Sequence, residues 1–204
     1  MFCNAMNEKQ FIGKVTFRVK VRRAMWNVVS ALLFRPFGTK VFRLWRLSLL
    51  RLFGARVSWH CDVYASAQVW APWNLVMKSG SCLGPHVICY NQACVMLDEQ
   101  ACVSQYATLC TAGHDVAREK LKAESEQSNS LSAKNADIPA NNAQTGLVVA
   151  PITLRRQAWV GMQAFVGMGV EVGEKSVVGA RANVFKDVPA QSVVYAAVGN
   201  CTSL

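Results

Sequence analysis

Aliphatic side chains recur every six positions through the C-terminal part of the chain. Four residues after each of them comes a small or β-branched side chain, and glycine directly follows four of the six aliphatics. The aliphatic positions are Leu154, Val160, Val166, Val172, Val178 and Val184. The small or β-branched positions are Ala158, Ala164, Val170, Ser176, Ala182 and Val188. The pattern consists of six consecutive copies of one hexapeptide.

The same rule extends towards the N-terminus. The earlier core-type positions are Val57, Val63, Val69, Met77, Leu83, Cys89, Leu97, Val103 and Leu109. The register slips by two residues after Val69 and again after Cys89, which we interpret as small bulges at the corners of a coil. A period of six fits neither an α-helix, with about 3.6 residues per turn, nor a half-buried strand, with a period of about 2. A chain that coils with three short flat faces per turn accounts for the six-residue period.

This pattern resembles that of the hexapeptide-repeat family. The resemblance implies an all-β core, a left-handed parallel β-helix over residues 57–189, whose triangular coils stack at about 4.8 Å. In such a prism the aliphatic residue fills the interior and the small residue avoids crowding it. Glycine is expected to accept backbone angles that other residues resist at a corner. Because each coil contacts only its neighbours, stability is close to a sum over coils.

Residues 1–56 precede the repeat and carry apolar side chains at helical spacing. The two apolar series are Phe17, Val21, Ala24, Val28, Ala31 and Phe42, Trp45, Leu49, Leu52. A basic stripe formed by Lys14, Arg18 and Arg22 accompanies the first series. We predict a basic extension of two amphipathic helices, split around residues 35–38.

Two other segments depart from the repeat. Residues 115–151 lose the six-residue period and are rich in Asn, Ser, Ala, Lys and Glu, which is a loop composition. Few large apolar side chains are available there to offset the entropy of ordering, so we expect much of this loop to be mobile. Residues 190–204 form a C-terminal tail. The predicted β-helix is therefore interrupted once by a long loop and ends shortly before the chain does.

The positive charge of the chain is concentrated in its first quarter. Residues 1–56 hold 12 Lys and Arg against one acid, Glu8, whereas residues 57–204 hold 10 against 11. No known nucleic-acid motif accompanies this charge, and a basic amphipathic segment fits an anionic membrane surface. The uncharged stretch Ala24–Phe34 has 11 residues, fewer than the roughly 20 that a spanning helix needs. We expect peripheral membrane association through residues 14–53 and no nucleic-acid partner.

No signal peptide is visible, because the first apolar run follows a long basic stretch and lacks a small-residue cleavage site. We therefore expect a cytoplasmic protein, at the inner face of the membrane if it binds one. The eight cysteines include no CxxC pair. The simplest interpretation is that they are small hydrophobic residues kept reduced.

Four stretches of the chain resemble one subfamily of the hexapeptide-repeat proteins in particular. They are Leu49–Arg56, Val69–Leu75, Leu109–Asp115 and Gly179–Pro189. These stretches are similar to those of the colanic-acid-type exopolysaccharide O-acetyltransferases. The resemblance implies a homotrimer that uses acetyl-CoA, without a metal, to acetylate a saccharide hydroxyl, with a lipid-linked precursor of a surface polysaccharide as the expected acceptor.

By the same resemblance, His114 is the catalytic base. Its chemistry suits the role, because a base near neutrality must take the hydroxyl proton as the oxygen attacks the thioester. The alternative is a surface histidine with no catalytic part. A metal site is not predicted, since His60 and His86 occupy a different position in the repeat from His114.

The resemblance also implies donor and acceptor residues. Those beside acetyl-CoA are Trp159, Gly161, Met162, Ala180 and Lys186. The backbone N–H of Met162 would stabilise the oxyanion. Trp159 could instead cover a neighbouring subunit, and Lys186 could be a solvated lysine. Tyr90 and Asn91 fall where related enzymes bind the acceptor. The Gly199-Asn200-Cys201 ending lacks the proline that many relatives place over CoA.

Two other functions remain open at the level of sequence. An N-acetyltransferase acting on a nucleotide sugar would share the base and the donor site and would differ only in its acceptor. A non-catalytic β-helix scaffold would keep the fold and the helices without the chemistry. The intact His114-Asp115 motif favours an enzyme over a scaffold.

Overall fold

One short strand and two helices precede the β-helix. The computed structural model describes residues 10–12, 16–114 and 147–196. Strand β1 is Gln10–Ile12, helix α1 is Phe17–Val29 with a π-helical turn at Ser30–Phe34, and helix α2 is Arg43–Leu52 after a 3-10 turn at Lys40–Phe42. The break after Phe34 confirms the predicted split. Pro36 at this break has no N–H with which to continue the helical ladder.

The hexapeptide repeats form a three-sided parallel β-helix whose strands stack in three sheets. The first face is β2 (Arg56–Val57), β5 (Leu75–Met77), β8 (Val95–Leu97), β13 (Ile152–Leu154) and β16 (Glu171–Val172). The second face is β3 (Asp62–Val63), β6 (Cys82–Leu83), β9 (Cys102–Val103), β14 (Trp159–Val160), β17 (Val177–Val178) and β19 (Val193–Val194). The third face is β4 (Gln68–Val69), β7 (Ile88–Tyr90), β10 (Thr108–Cys110), β15 (Phe165–Val166) and β18 (Asn183–Val184).

The core is built from the repeat aliphatics, which stack in register from coil to coil. On the third face, for example, Val69 pairs with Cys89, Cys89 with Leu109, and Leu109 with Val166. All of the aliphatic positions named from the sequence are buried, as are the small or β-branched positions two residues before them. Burial of these three columns explains why a six-residue period, three times per coil, is imposed on the sequence.

The register slips occur at one corner of the prism, between the third and first faces (the 3–1 corner). Val57 pairs with Met77, 20 residues later, whereas Leu154 pairs with Val172, 18 residues later. The first two coils thus hold two extra residues each, and the first insertion forms a 3-10 turn at Pro72–Asn74. The interpretation of the slips as corner bulges is confirmed.

The third coil carries a larger excursion at the same corner. Strand β11 (Ala112–His114) leaves it and pairs antiparallel with β12 (Leu147–Val149), and β1 pairs antiparallel with the other edge of β12. The loop expected over residues 115–151 is therefore too long at its C-terminal end, because the β-branched Val148 and Val149 form a strand and are buried. Residues 115–146, on which the expected mobility rests, lie outside the described residues.

The corner glycines serve a purpose that differs from the expected one. Gly161, Gly173 and Gly179 do not adopt positive φ; a Cβ on Gly161 would lie 2.7 Å from the backbone nitrogen of Ala180 in the next coil. The left-handed conformation occurs two residues later, at non-glycine residues such as Gln163, with φ of 58°. Glycine is required at these corners because successive coils approach closely.

Helix α2 is fastened to the first coil by a buried arginine. Arg46 is 3 % exposed, and its guanidinium donates hydrogen bonds to the carbonyl oxygens of Val63 (2.9 Å), Phe37 (2.7 Å) and Thr39 (2.9 Å). Burial lowers the pKa of Arg46, and the nearby carboxylate of Asp62 partly opposes that effect. Leu47 and Leu50 on the same helix close the open end of the prism.

Replacing Arg46 by methionine should lower the free energy of unfolding by about 2–4 kcal/mol. The apolar side chain fills similar space but leaves the carbonyl groups of Val63 and Phe37 without their donor, while that of Thr39 keeps the N–H of Phe42. Urea unfolding of the purified variant measures the change. Arg43→Met is the matched control on the same helix, because Arg43 is only half-buried and donates to two carbonyls. Equal stability of Arg46→Met and the unmutated protein would contradict this account of the helix anchor.

Much of the apolar surface of the two helices faces away from the prism. Only Trp26 is buried on α1, where its indole N–H donates to the carbonyl of Val69 at 2.7 Å. The exposed large apolar side chains of the segment are Phe17, Val21, Met25, Val28, Leu32, Leu33, Val41, Phe42, Leu44, Trp45 and Leu52. Among the described residues, no helix is long and apolar enough to cross a bilayer.

Candidate functional site

Four of the five predicted donor residues come together at the corner between the second and third faces (the 2–3 corner). Trp159 begins the two-residue strand β14 on the second face of the fourth coil, and Gly161 and Met162 lie in the turn that follows this strand. Ala180 occupies the same turn of the fifth coil, directly against Gly161. The indole of Trp159 is half exposed and donates a hydrogen bond to Ser104 Oγ at 2.7 Å. The corner therefore presents a fixed aromatic plane beside a strip of small residues.

A backbone N–H at this corner, that of Met162, is available to a ligand, whereas its neighbours are engaged. Gly161 N–H donates to the carbonyl of Val178, and Met162 C=O accepts from Arg181 N–H at 2.9 Å. Met162 N–H has no hydrogen-bond partner within the described part of the chain. An unpaired amide beside an exposed tryptophan suits a carbonyl oxygen that gains negative charge, so the corner fits a thioester donor.

Tyr90, His114 and Lys186 lie elsewhere, along the 3–1 corner. Tyr90 ends β7, His114 ends β11, and Lys186 follows β18. One whole face separates this corner from Trp159, a distance on the order of 10–15 Å for a short extended segment. Within one chain, therefore, Lys186 does not share the corner of the other four donor residues.

Asn91 is fully buried at the 3–1 corner. Its side-chain carbonyl accepts a hydrogen bond from Ala71 N–H at 2.9 Å, and its side-chain NH₂ donates to Ala71 C=O at 2.7 Å. Asn74 in turn donates to the carbonyls of Asn91 and Gln92. The amide of Asn91 thus joins the inserted residues of the first two coils, and any part it has in acceptor binding is to position its partly exposed neighbour Tyr90.

Strand β11, which ends at His114, lies at the height of the fourth coil, the coil that holds Trp159. Gly113 of β11 packs against Met168, since a Cβ on Gly113 would lie 3.3 Å from Met168 Cε. Met168 and Trp159 belong to the same coil, the fourth. The end of β11 and the corner beside Trp159 can therefore meet if a second copy of the chain packs beside the first.

Sequence reasoning missed a pair of thiols next to Trp159, the tryptophan predicted for the donor site. Asp62, Cys82, Cys102 and Trp159 form one column on the outside of the second face, each in register with the next. A hydrogen bond from the Cys82 thiol lowers the pKa of Cys102 to about 7, while the same contact and burial raise that of Cys82. The detectable signal was that both cysteines directly precede repeat aliphatics, which places them on the outer surface.

Cys102 should be the described cysteine that is alkylated fastest at neutral pH. Its thiol is roughly half ionised near pH 7, so the rate should rise between about pH 6 and 8. Cys89 is the internal control, because it is buried and burial raises its pKa to about 12. Peptide mass spectrometry after brief iodoacetamide treatment measures the order, and equal labelling of the two cysteines would refute it.

Five described cysteines are free thiols: Cys61, Cys82, Cys89, Cys102 and Cys110. Cys94 is disulfide-bonded, so the expectation that all cysteines are reduced is wrong for this one. No group of three or more His, Cys, Asp or Glu side chains within residues 16–113 and 147–196 could hold a metal ion.

Comparison with solved structures defines the class of the fold: a hexapeptide-repeat left-handed β-helix. The hexapeptide-repeat acetyltransferase of Vibrio cholerae superposes with a TM-score of 0.66 at 17% identity, over 88% of each chain. It has also been solved with acetyl-CoA, where the TM-score is 0.64, the identity 16%, and the coverage 88% of this chain and 84% of that one. A maltose O-acetyltransferase of Clostridium difficile 630 superposes at 0.57 and 16% identity, over 87% of this chain and 83% of that one.

The sequence comparison reaches a particular relative. The chain is 28% identical over 173 residues to WcaF of Escherichia coli K12, which carries the provisional name colanic acid biosynthesis acetyltransferase. The match covers 85% of this chain and 81% of the relative. No family model matches the chain. The resemblance to colanic-acid-type acetyltransferases that the sequence motifs indicated is confirmed by this similarity.

Proposed function

We propose that the protein is an O-acetyltransferase that moves the acetyl group of acetyl-CoA to a saccharide hydroxyl. The observation that carries the proposal is the 2–3 corner, where a half-exposed Trp159 stands beside small residues and an unpaired Met162 N–H. The similarity to WcaF supports the same class of reaction. The predicted base, His114, ends strand β11, which leaves the 3–1 corner of the preceding coil.

The chemistry follows from these groups. Neutral His114 takes the proton of the acceptor hydroxyl as its oxygen attacks the thioester carbonyl. A carbon–oxygen bond forms, and Met162 N–H stabilises the oxyanion of the tetrahedral intermediate. The carbon–sulfur bond then breaks, and the imidazolium returns its proton to the departing CoA thiolate. Trp159 covers the acetyl end of the donor, and Lys186 attracts a CoA phosphate as a flexible point charge.

The active site is completed by a second subunit in a homotrimer. In one chain, β11 leaves the 3–1 corner and lies against the fourth coil, whereas Trp159 lies near the 2–3 corner of that coil, so His114 and Trp159 serve one site only with the help of a second chain. Three prisms around an axis parallel to their length bring the 3–1 corner of one chain to the 2–3 corner of the next. Lys186 of the first chain then also faces the donor strip of its neighbour.

The acceptor is a saccharide that enters beside Tyr90. The side chain of Tyr90 is partly exposed, and its ring packs edge-on against that of Trp70, with 5.8 Å between the ring centroids. Aromatic edges and faces suit the apolar surface of a sugar ring. A lipid-linked precursor of a surface polysaccharide fits the N-terminal extension, because such an acceptor is presented at the inner face of the membrane.

Residues 14–53 hold the protein on that membrane surface. On α1 and the π-helical turn that follows it, the exposed side chains of Val21, Met25, Val28 and Leu32 recur at helical spacing and are available for burial among lipids. Basic side chains flank them, and residues 16–53 contain no acid. Apolar burial and attraction to anionic lipids thus act on the same segment.

Vesicle binding should weaken about 30-fold when Arg18 and Lys20 are both changed to glutamine. Each basic residue near an anionic surface contributes about 1 kcal/mol, and both side chains are exposed on α1. Co-sedimentation with phosphatidylglycerol vesicles at low salt measures the loss. The control removes two exposed charges from the fifth coil, Lys175→Gln with Arg181→Gln. Equal weakening in both double variants would mean that the helices do not contact the membrane.

The proposed reaction is tested by following release of free CoA thiol from acetyl-CoA with a panel of saccharide acceptors. The proposal expects acceptor-dependent release that is lost in Trp159→Ala. A scaffold protein would release no thiol with any acceptor and would not bind acetyl-CoA in calorimetry. Base-stable acetyl product would indicate an amide and hence the N-acetyltransferase alternative.

A further inference from the structure

A cleft lies between helix α1 and the third face of the prism, apart from the donor corner. Its volume is about 290 Å³, and its walls include Arg23, Arg35, Gln68, Trp70 and Tyr90. Among the residues that the structure describes, no aspartate or glutamate lines the cleft. The cleft is therefore positive at one wall and aromatic at the other.

The two arginines of this cleft have no acidic partner. Within the described residues, neither Arg23 nor Arg35 forms a salt bridge. The guanidinium of Arg23 lies over the Trp70 ring at 4.4 Å, and its Nε is buried without a hydrogen-bond partner among those residues. A buried guanidinium nitrogen without an acceptor is costly unless a ligand supplies one. Phosphate oxygens are suitable acceptors, since a guanidinium can bind them bidentately.

The position of the cleft links the membrane side of the molecule to the predicted base. Arg23 faces the cleft on α1, while Met25 and Val28 of the same helix are exposed outward. From Trp70, a column of side chains runs in register through Tyr90 to Cys110, the last residue of β10. Those two coil steps span about 10 Å and end where β11 departs towards His114. A short saccharide can cover that distance.

We propose that the α1 cleft binds the phosphate or diphosphate that joins the acceptor saccharide to its carrier, with Arg23 and Arg35 as its ligands. The inference rests on the proposed acetyl transfer to a saccharide and names the part of the acceptor that is recognised. The anionic group is held below α1, the carrier lipid stays with the exposed face of the helices, and the sugar follows Trp70 and Tyr90 towards the 3–1 corner.

Binding is tested directly by calorimetry with inorganic diphosphate, using the full chain saturated with CoA so that the donor site is occupied. Arg23→Gln with Arg35→Gln should weaken diphosphate binding at least 10-fold, because charge-assisted hydrogen bonds are lost; the range is about 10- to 100-fold for one such bond. Lys175→Gln, an exposed lysine of the fifth coil, is the single-charge control and should bind as the unmutated protein does. If the double variant does not fold, Arg35→Gln alone should weaken binding about 10-fold, since that side chain is exposed.

Two further arms identify the source of the phosphate. With a diphosphate-linked saccharide as acceptor, the double variant should show a KM raised about 10-fold or more and little change in kcat, whereas the same saccharide without diphosphate should show no difference between variant and unmutated protein. Phosphatidylglycerol vesicles that compete fully with diphosphate would identify a membrane headgroup as the ligand and overturn the assignment to the acceptor.

The inference and the proposed function can fail separately. Arginine-dependent diphosphate binding without any acetyl transfer would leave the cleft assignment standing and remove the proposed reaction. Acetyl transfer with unchanged KM in the double variant, together with diphosphate binding no weaker than in the unmutated protein, would overturn the cleft assignment and leave the reaction intact.

Discussion

Changing His114 to alanine should lower the turnover number for acetyl transfer by about 10²- to 10⁴-fold. A general base contributes this much when it takes a proton in the transition state. His114 ends β11, a strand that leaves the prism and pairs with β12, so its position lies outside the columns of repeat aliphatics. Steady-state kinetics with a confirmed saccharide acceptor measures the loss, and the activity of the unmutated protein should rise with pH to a plateau that the variant lacks.

The affinity for acetyl-CoA provides the internal control. The donor strip lies at the 2–3 corner, one face away from β11 in the same chain, and its tryptophan is fixed by the hydrogen bond to Ser104. Calorimetry should therefore give similar dissociation constants for His114→Ala and the unmutated protein. Near-normal turnover in the variant would remove the base assignment. Loss of the far-UV signal of the fold would show instead that the residue is structural.

Mixing two inactive variants should restore activity to about a quarter of the unmutated level. If each site takes His114 from one chain and Trp159 from the next, random 1:1 hybrids of His114→Ala and Trp159→Ala leave both groups intact in one site of four. The geometry favours this result, because β11 leaves the 3–1 corner beside the fourth coil, whereas Trp159 lies near the 2–3 corner of that coil.

The control for the hybrids is the double variant His114→Ala with Trp159→Ala, mixed in the same way with the unmutated protein. The activities of the two mixtures, and hence their numbers of intact sites, are then compared at equal chain concentration. No recovery in the mixture of single variants, or a monomer in sedimentation at micromolar concentration, would contradict an active site shared between subunits.

The stacking of the coils was predictable from the sequence because one simple rule governs it. Each aliphatic must lie over an aliphatic of the previous coil, so a period of six and its two slips determine the registers, as in the Val69, Cys89 and Leu109 column. The location of the slips at one corner also follows from counting, since both fall between the third and the first face.

Other features depend on contacts that no period reveals. Arg46 reads as a basic residue of an amphipathic helix, yet it is buried against three carbonyl groups. Gly161 reads as a flexible corner residue, whereas it is required by the approach of the next coil. Long-range packing decides both, and neither has a signature in local sequence.

Part of the candidate site was predictable because the hexapeptide repeat also determines its geometry. Trp159, Gly161 and Met162 are adjacent in sequence, and Ala180 falls 18 residues after Met162, so the repeat itself places the four together. The α1 cleft is different, because Arg23 and Trp70 belong to separate segments whose contact depends on how α1 docks. The sequence alone indicated only that positive charge is concentrated in residues 1–56.

Analysis of the acetylated product tests the central claim most directly. The protein is incubated with acetyl-CoA and the best acceptor from the panel, and the product is isolated and treated with mild base. The account predicts a saccharide that carries one new acetyl ester, removed by base and absent when His114→Ala is used for the same time. A product whose acetyl group withstands base, or unmodified saccharide despite bound acetyl-CoA, would contradict it.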